Sequence, residues 1–143
     1  MKFHLIGEDT KIEIEVLGRS HPNTTDYWDG NWLFSKINLN IPGYLAGFPM
    51  DLRTDELQDF TNELKKLEKE MVGKAILKNL DGYYHFEGEI DQLGKIKWSA
   101  ETCYPAGHGA ILNFEFKSDQ SYLQGLIKEL EQILTEFPVI GIP

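Results

Sequence analysis

Asp26-Tyr27-Trp28-Asp29-Gly30-Asn31-Trp32-Leu33 is the stretch around which the chain is organised. It holds two of the three tryptophans, with a tyrosine and two acids, inside eight residues. Aromatic surface this dense is costly to expose, so it forms either the hinge of a core or the centre of a binding surface. Asp29-Gly30 reads as a turn that hands over to a strand over 33–41. There Leu33, Ile37, Leu39 and Ile41 face one side, and Lys36, Asn38 and Asn40 face the other. Pro42-Gly43 closes that strand.

Upstream, residues 3–6 and 11–17 flank the turn candidate Gly7-Glu8-Asp9-Thr10. Ile12, Ile14 and Val16 alternate with Lys11, Glu13 and Glu15, the pattern of a half-buried antiparallel strand, so the pair reads as a hairpin. Downstream, residues 44–52 read as a strand or an irregular edge, because Gly47 and Pro49 interrupt them. Thr54 is placed to cap a helix, with Asp55 and Glu56 where carboxylates favour the dipole. Its stripe is Leu57, Phe60, Leu64, Leu67 and Met71, and Gly73 stops it.

A second strand block follows. Residues 74–80 and 82–90 flank the hairpin signal Asp81-Gly82. Alternation continues through Ile96, Trp98 and Ala100, and then through Ala110, Leu112, Phe114 and Phe116. Ser118-Asp119 reads as the cap of a last helix with the stripe Leu123, Leu126, Ile127, Leu130, Ile133, Leu134 and Phe137. Pro138 ends it, and 139–143 is an apolar tail able to tuck against the body.

The expected class is α+β: mostly antiparallel sheet, with two amphipathic helices on one face, in a single domain over 1–143. The two helix entries echo each other, Arg53-Thr54-Asp55-Glu56 against Lys117-Ser118-Asp119-Gln120. A duplicated strands-then-helix unit is one reading. Convergence of capped amphipathic helices is the other.

Net charge is −9, which disfavours nucleic acid and anionic membranes and favours a basic partner. No stretch approaches the apolar length of a membrane span. The apolar run at Phe3-His4-Leu5-Ile6 breaks on Glu8 and Asp9, unlike a signal peptide, and Cys103 is the lone cysteine. A cytoplasmic location is expected.

Candidate chemistry is thin. His4, His21, His85, His108 and Cys103 show no metal-ligand spacing, so no metal or other cofactor is expected. Cys103 with His108 or His85 could be drawn as a nucleophile–base pair, but nothing beside Cys103 lowers its pKa. Asp26 and Asp29 beside aromatics suggest sugar hydrolysis; the competing reading is turn-forming aspartates. No catalytic residue is assigned. Trp32 and Trp98 read as core. Trp28 reads as either loop packing or an interface anchor.

The Asp26–Leu33 motif resembles the WapI-type bacterial immunity proteins. So do the opening hairpin, Ile41-Pro42-Gly43, Asp51-Leu52-Arg53-Thr54 and the Leu-rich helix ending at Phe137-Pro138-Val139. The resemblance implies a non-enzymatic protein that neutralises a secreted or contact-delivered toxin domain, commonly a nuclease. The contact residues expected from charge and aromaticity are Asp26, Trp28 and Asp29, with Glu87, Glu89 and Glu101 on a strand face. A small hydrolase using the Asp26/Asp29 region is the alternative, and a regulatory module without a toxin partner is a third reading. Oligomeric state is left open.

Overall fold

The computed structural model describes residues 1–143. The chain runs β1 (Lys2–Gly7), β2 (Thr10–Arg19), α1 (Tyr27–Gly30), β3 (Trp32–Ile41), β4 (Tyr44–Arg53), α2 (Thr54–Glu70), β5 (Gly73–Lys78), β6 (Tyr84–Ile90), β7 (Lys95–Tyr104), β8 (Ala110–Asp119), a 3-10 turn (Gln120–Tyr122) and α3 (Leu123–Glu136). All pairings are antiparallel, as the alternation demanded. The strands form two sheets of four, β1-β2-β3-β4 and β5-β6-β7-β8. Each sheet is a meander followed by a helix, so the strands-then-helix unit occurs twice.

Register explains the core. Phe3, Ile14, Ile37 and Phe48 stand in one row across the first sheet, and all four are buried. Ala75, Gly88, Trp98 and Phe116 make a row across the second. The Trp98 ring lies flat over Gly88, where an added Cβ would come within 2.8 Å of it. The helices pack crosswise: α2, which follows the first sheet, lies against β5, while α3, which follows the second, lies against β1. Leu57, Phe60, Leu64 and Leu67 of α2 join Leu123, Leu126, Ile127, Leu130 and Ile133 of α3 in one continuous core with both sheets. The sheets also touch edge to edge, where Glu8 N donates to Lys117 O at 2.9 Å and Ser118 Oγ donates to Ile6 O at 2.6 Å.

Local readings differ from the structure at the element ends. Thr54 is the first residue of α2, not its cap; its Oγ1 is buried without a partner. Arg53 occupies the cap position with extended backbone (φ −109°, ψ 143°), and it turns its side chain to other work. Asp119 caps the 3-10 turn by accepting from Ser121 N at 2.8 Å, and α3 starts only at Leu123. Asp29-Gly30 is no turn: Asp26 caps a single helical turn by accepting from Asp29 N at 3.1 Å. Residues 44–53 form a regular strand, which tolerates Gly47 and Pro49 because β4 is an edge. Trp32 is only half-buried, whereas Trp98 is core.

Gly88→Ala should cost about 1–3 kcal/mol, because the methyl must displace Trp98 from a packed row. Urea denaturation monitored at the tryptophans checks this. An unchanged midpoint would mean that the ring moves aside freely.

Candidate partner-binding surface

Arg53 closes β4 opposite Trp32 and is 2% exposed. A buried guanidinium must have its donors matched. Nε donates to Asp55 Oδ1 at 2.9 Å, one Nη to Trp28 O at 2.7 Å and the other to Tyr27 O at 2.9 Å. Its central carbon lies 5.1 Å from the Tyr27 ring centroid, 5.6 Å from Trp28 and 5.1 Å from Trp32. The aromatic motif is therefore a cage around one cation, with favourable cation–π geometry on three sides.

This cage explains how a helix of four residues persists, since a single turn does not hold itself in water. Three side chains substitute for the missing helical bonds. Arg53 takes the Tyr27 and Trp28 carbonyls. Arg19 bridges Gly30 O and Pro138 O, each at 2.6 Å. Fully buried Asn31 donates to Tyr27 O and Ile140 O, and its own Oδ1 accepts from Ile140 N at 3.0 Å. The C-terminal tail is thus strapped across α1. Gly30 lets the tail lie close, since an added Cβ would come within 2.6 Å of the end of the Ile140 side chain and push it aside.

What the cage displays is Trp28, 59% exposed on a backbone held by these bonds. Tyr27 braces it edge-on, with centroids 5.0 Å apart. Asp26 and Asp29 are exposed beside it, and Asp55 links it to α2.

From Asp55 the acids continue along α2. Asp55, Glu56, Asp59 and Glu63 line a cleft of about 520 Å³, with Lys78 its single base. Burial pushes the Glu56 carboxyl up to about 7, against hydrogen bonds that favour the charged form. It accepts from Leu80 N at 2.9 Å and from Asn79 Nδ2 at 3.4 Å. Burial, then the charge of Asp55, also raises Asp59. Asp55 and Glu56, expected as dipole partners, are joined in the cleft by Asp59 and Glu63, which no local motif singles out. Their one signal is that acids recur at helical spacing on one face.

Glu87, Glu89 and Glu101 share the outward face of the second sheet, on β6 and β7, apart from the β2–β3 connection that carries Asp26, Trp28 and Asp29. That face is not uniformly acidic. Lys74 lies 3.8 Å from Glu87 and 3.5 Å from Glu89, and Lys97 stands opposite Glu89 in register. Glu101 pairs with His85 on one side and Asn113 on the other. Glu87 and Glu89 also border a cleft of about 750 Å³ that Lys95, Lys97 and Lys117 enter.

The groups weighed for chemistry are dispersed. His4 is held between Glu129 Oε2 at 2.8 Å and Glu13 Oε1 at 3.0 Å. Cys103 Sγ faces the carbonyls of Pro105 and Gly109. No group of three or more His, Cys, Asp or Glu is placed to hold a metal ion. No helix is long and apolar enough to cross a membrane.

Arg53→Lys should destabilise the protein by about 2 kcal/mol, because a single ammonium nitrogen cannot span the three acceptors that the planar fork reaches from three nitrogens. Amide exchange at Asp29 and Gly30 should accelerate while β3 stays protected; equal protection in both proteins would remove Arg53 from this role. For Glu56 the pH sign is definite. Its folded pKa of about 7 exceeds its ordinary 4.5, so the folded state holds the extra proton and stability falls as pH rises through that window. Glu56→Gln should therefore gain on the parent by roughly 2 kcal/mol between pH 4.5 and pH 8, allowing for the group's partial exposure. Parallel stability–pH curves would contradict it.

Among solved structures, the chain resembles "Crystal structures of trypanosoma bruciei MRP1/MRP2" at 10% identity. The match covers 94% of this chain and 84% of that one with a TM-score of 0.51, a likeness of fold alone. No curated protein matches. The family model described as "Immunity protein WapI-like family" matches residues 3–138, nearly the whole chain, and the protein belongs to that family.

Proposed function

We propose that this chain neutralises a cognate toxin domain by binding it and covering the surface the toxin needs for its own substrate. Family membership supports an immunity role. The net charge of −9 supports a basic partner, and a nuclease is the basic toxin this charge fits best, because nucleases meet phosphate with Lys and Arg. The observation that carries the reading is Trp28: a large aromatic, exposed, on a backbone fixed before binding, and rimmed by Asp26, Asp29 and Asp55. A preorganised anchor loses little entropy on association, and surrounding carboxylates speed the encounter.

The contact surface we assign has Asp26, Trp28 and Asp29 at its centre and Asp55, Asp59 and Glu63 as its acidic extension. Glu87, Glu89 and Glu101 form a second, charge-balanced region that contributes less to steering. The protein acts in the cytoplasm, as a binding protein and not as an enzyme. The hydrolase alternative has less support, because Asp26 Oδ2 accepts from Asp29 N in the turn-forming role weighed against it.

Affinity near nanomolar, about −12 kcal/mol, is expected for the complex with the toxin domain encoded beside this chain. Association should slow steeply with added salt. Asp26→Asn with Asp29→Asn should mainly lower the on-rate, and Trp28→Ala should mainly raise the off-rate. Stopped-flow fluorescence and co-expression check this. Cells that die equally fast with and without the protein, together with no complex in vitro, would refute the immunity mechanism.

A further inference from the structure

The first sheet has an edge that proline guards at one position only. β4 pairs only with β3, and Leu45, Gly47, Pro49 and Asp51 stand opposite Asn40, Asn38, Lys36 and Phe34. The Asp51 carbonyl points away from β3, since it accepts from Asn79 Nδ2 at 3.0 Å. Residues two apart share that direction, so Leu45 and Gly47 present both N–H and C=O outward, and Pro49 its C=O. Pro49 fits here because its missing donor faces outward as well.

Natural edges are usually blocked by charge, proline, bulges or cover. Here proline removes the outward donor at Pro49 alone, and Leu45 and Gly47 keep theirs. The run Tyr44-Leu45-Ala46-Gly47-Phe48-Pro49-Met50 has no charged residue. Tyr44 is 60% exposed and Leu45 81%. Beside it lies an aromatic stack: Phe48 is 4.7 Å from Tyr104 and 6.3 Å from Tyr83, centroid to centroid, and Tyr104 is exposed. Asp51 and Asp81 flank Tyr83, and burial followed by their charges raises its hydroxyl pKa. The edge thus offers backbone bonds, an apolar floor and negative charge at one end.

We propose that Leu45–Pro49 receives an extended segment of the toxin, which adds as a fifth strand to the first sheet. Its apolar side chain covers exposed Tyr104, whose ring stacks on buried Phe48, and a Lys or Arg reaches Asp51 and Asp81. This rests on the toxin-binding reading above and extends it, because β4 runs from this edge directly to Arg53 and the Trp28 surface. A second copy of this chain is the competing occupant. Two copies would approach with a net charge of −9 each, which slows and opposes their pairing.

The test is amide exchange of the wild-type protein alone and in complex with a catalytically disabled toxin domain, the one encoded beside it. Protection of the Leu45 and Gly47 amides should rise at least tenfold on binding. Leu45→Pro, which removes an outward donor and leaves the β3 ladder intact, should weaken binding at least tenfold. Leu45→Lys, which keeps the backbone and sets a like charge against a basic segment, should weaken it in the same way if the proline variant does not fold. A complex that forms with wild-type affinity in both variants and without protection at 45 and 47 overturns the strand addition while leaving the immunity mechanism standing. No complex with the wild-type protein overturns both. Protection that grows with the concentration of this protein alone assigns the edge to self-pairing and overturns the inference.

Discussion

One buried cation holds the upper end of this molecule together. Arg53 lies where β4 becomes α2, and its guanidinium reaches two carbonyls of α1 and a carboxylate of α2. A charge withdrawn from water is tolerated only if each donor is matched, so its position constrains all three partners together. Remove it, and the Trp28 carbonyl loses its side-chain partner, the Tyr27 carbonyl keeps only Asn31, and α1 loses one of the three side chains that hold its single turn. The aromatic motif is then neither purely core nor purely interface. Tyr27 and Trp32 wall in the cation, and Trp28 shares that task on one face while showing the other to solvent.

The two sheets depend on each other through the crosswise helices. α2 covers the first strand of the second sheet, and α3 covers the first strand of the first. Each unit therefore buries its apolar face with a helix that touches the other unit, and a single core runs through both. The arrangement leaves the outer faces and the β4 edge open. It also spares α2 one long face for its acids, since its stripe is already committed to β5 and α3.

Charge is distributed by this geometry and not by composition. Fourteen basic residues against 23 acids gives the bulk imbalance, but the second sheet's outer face interleaves its glutamates with lysines. The excess emerges on α2, where Asp59 and Glu63 share a cleft with one lysine, Lys78, and with Asp55, which Arg53 already pairs. It is also there that burial drives Glu56 toward neutrality.

Strand alternation, helix stripes, the antiparallel α+β class and the acidic bias were legible in the sequence. Each is fixed by residues two to four apart, and backbone geometry alone sets those periods. The family likeness rested on the same local pattern around Tyr27 and Trp28. Other features were not legible: the division into two sheets, the burial of Arg53, the placing of Lys74 between Glu87 and Glu89, the α2 acid cleft and the open donors of the β4 edge. These depend on which strands become neighbours, and that is settled by residues far apart in the chain competing for one core. An arginine next to a helix start looks solvated in one dimension. Only when α1, β4 and α2 converge does it become the cation that three rings and three acceptors enclose, because packing removes the water that local sequence assumes.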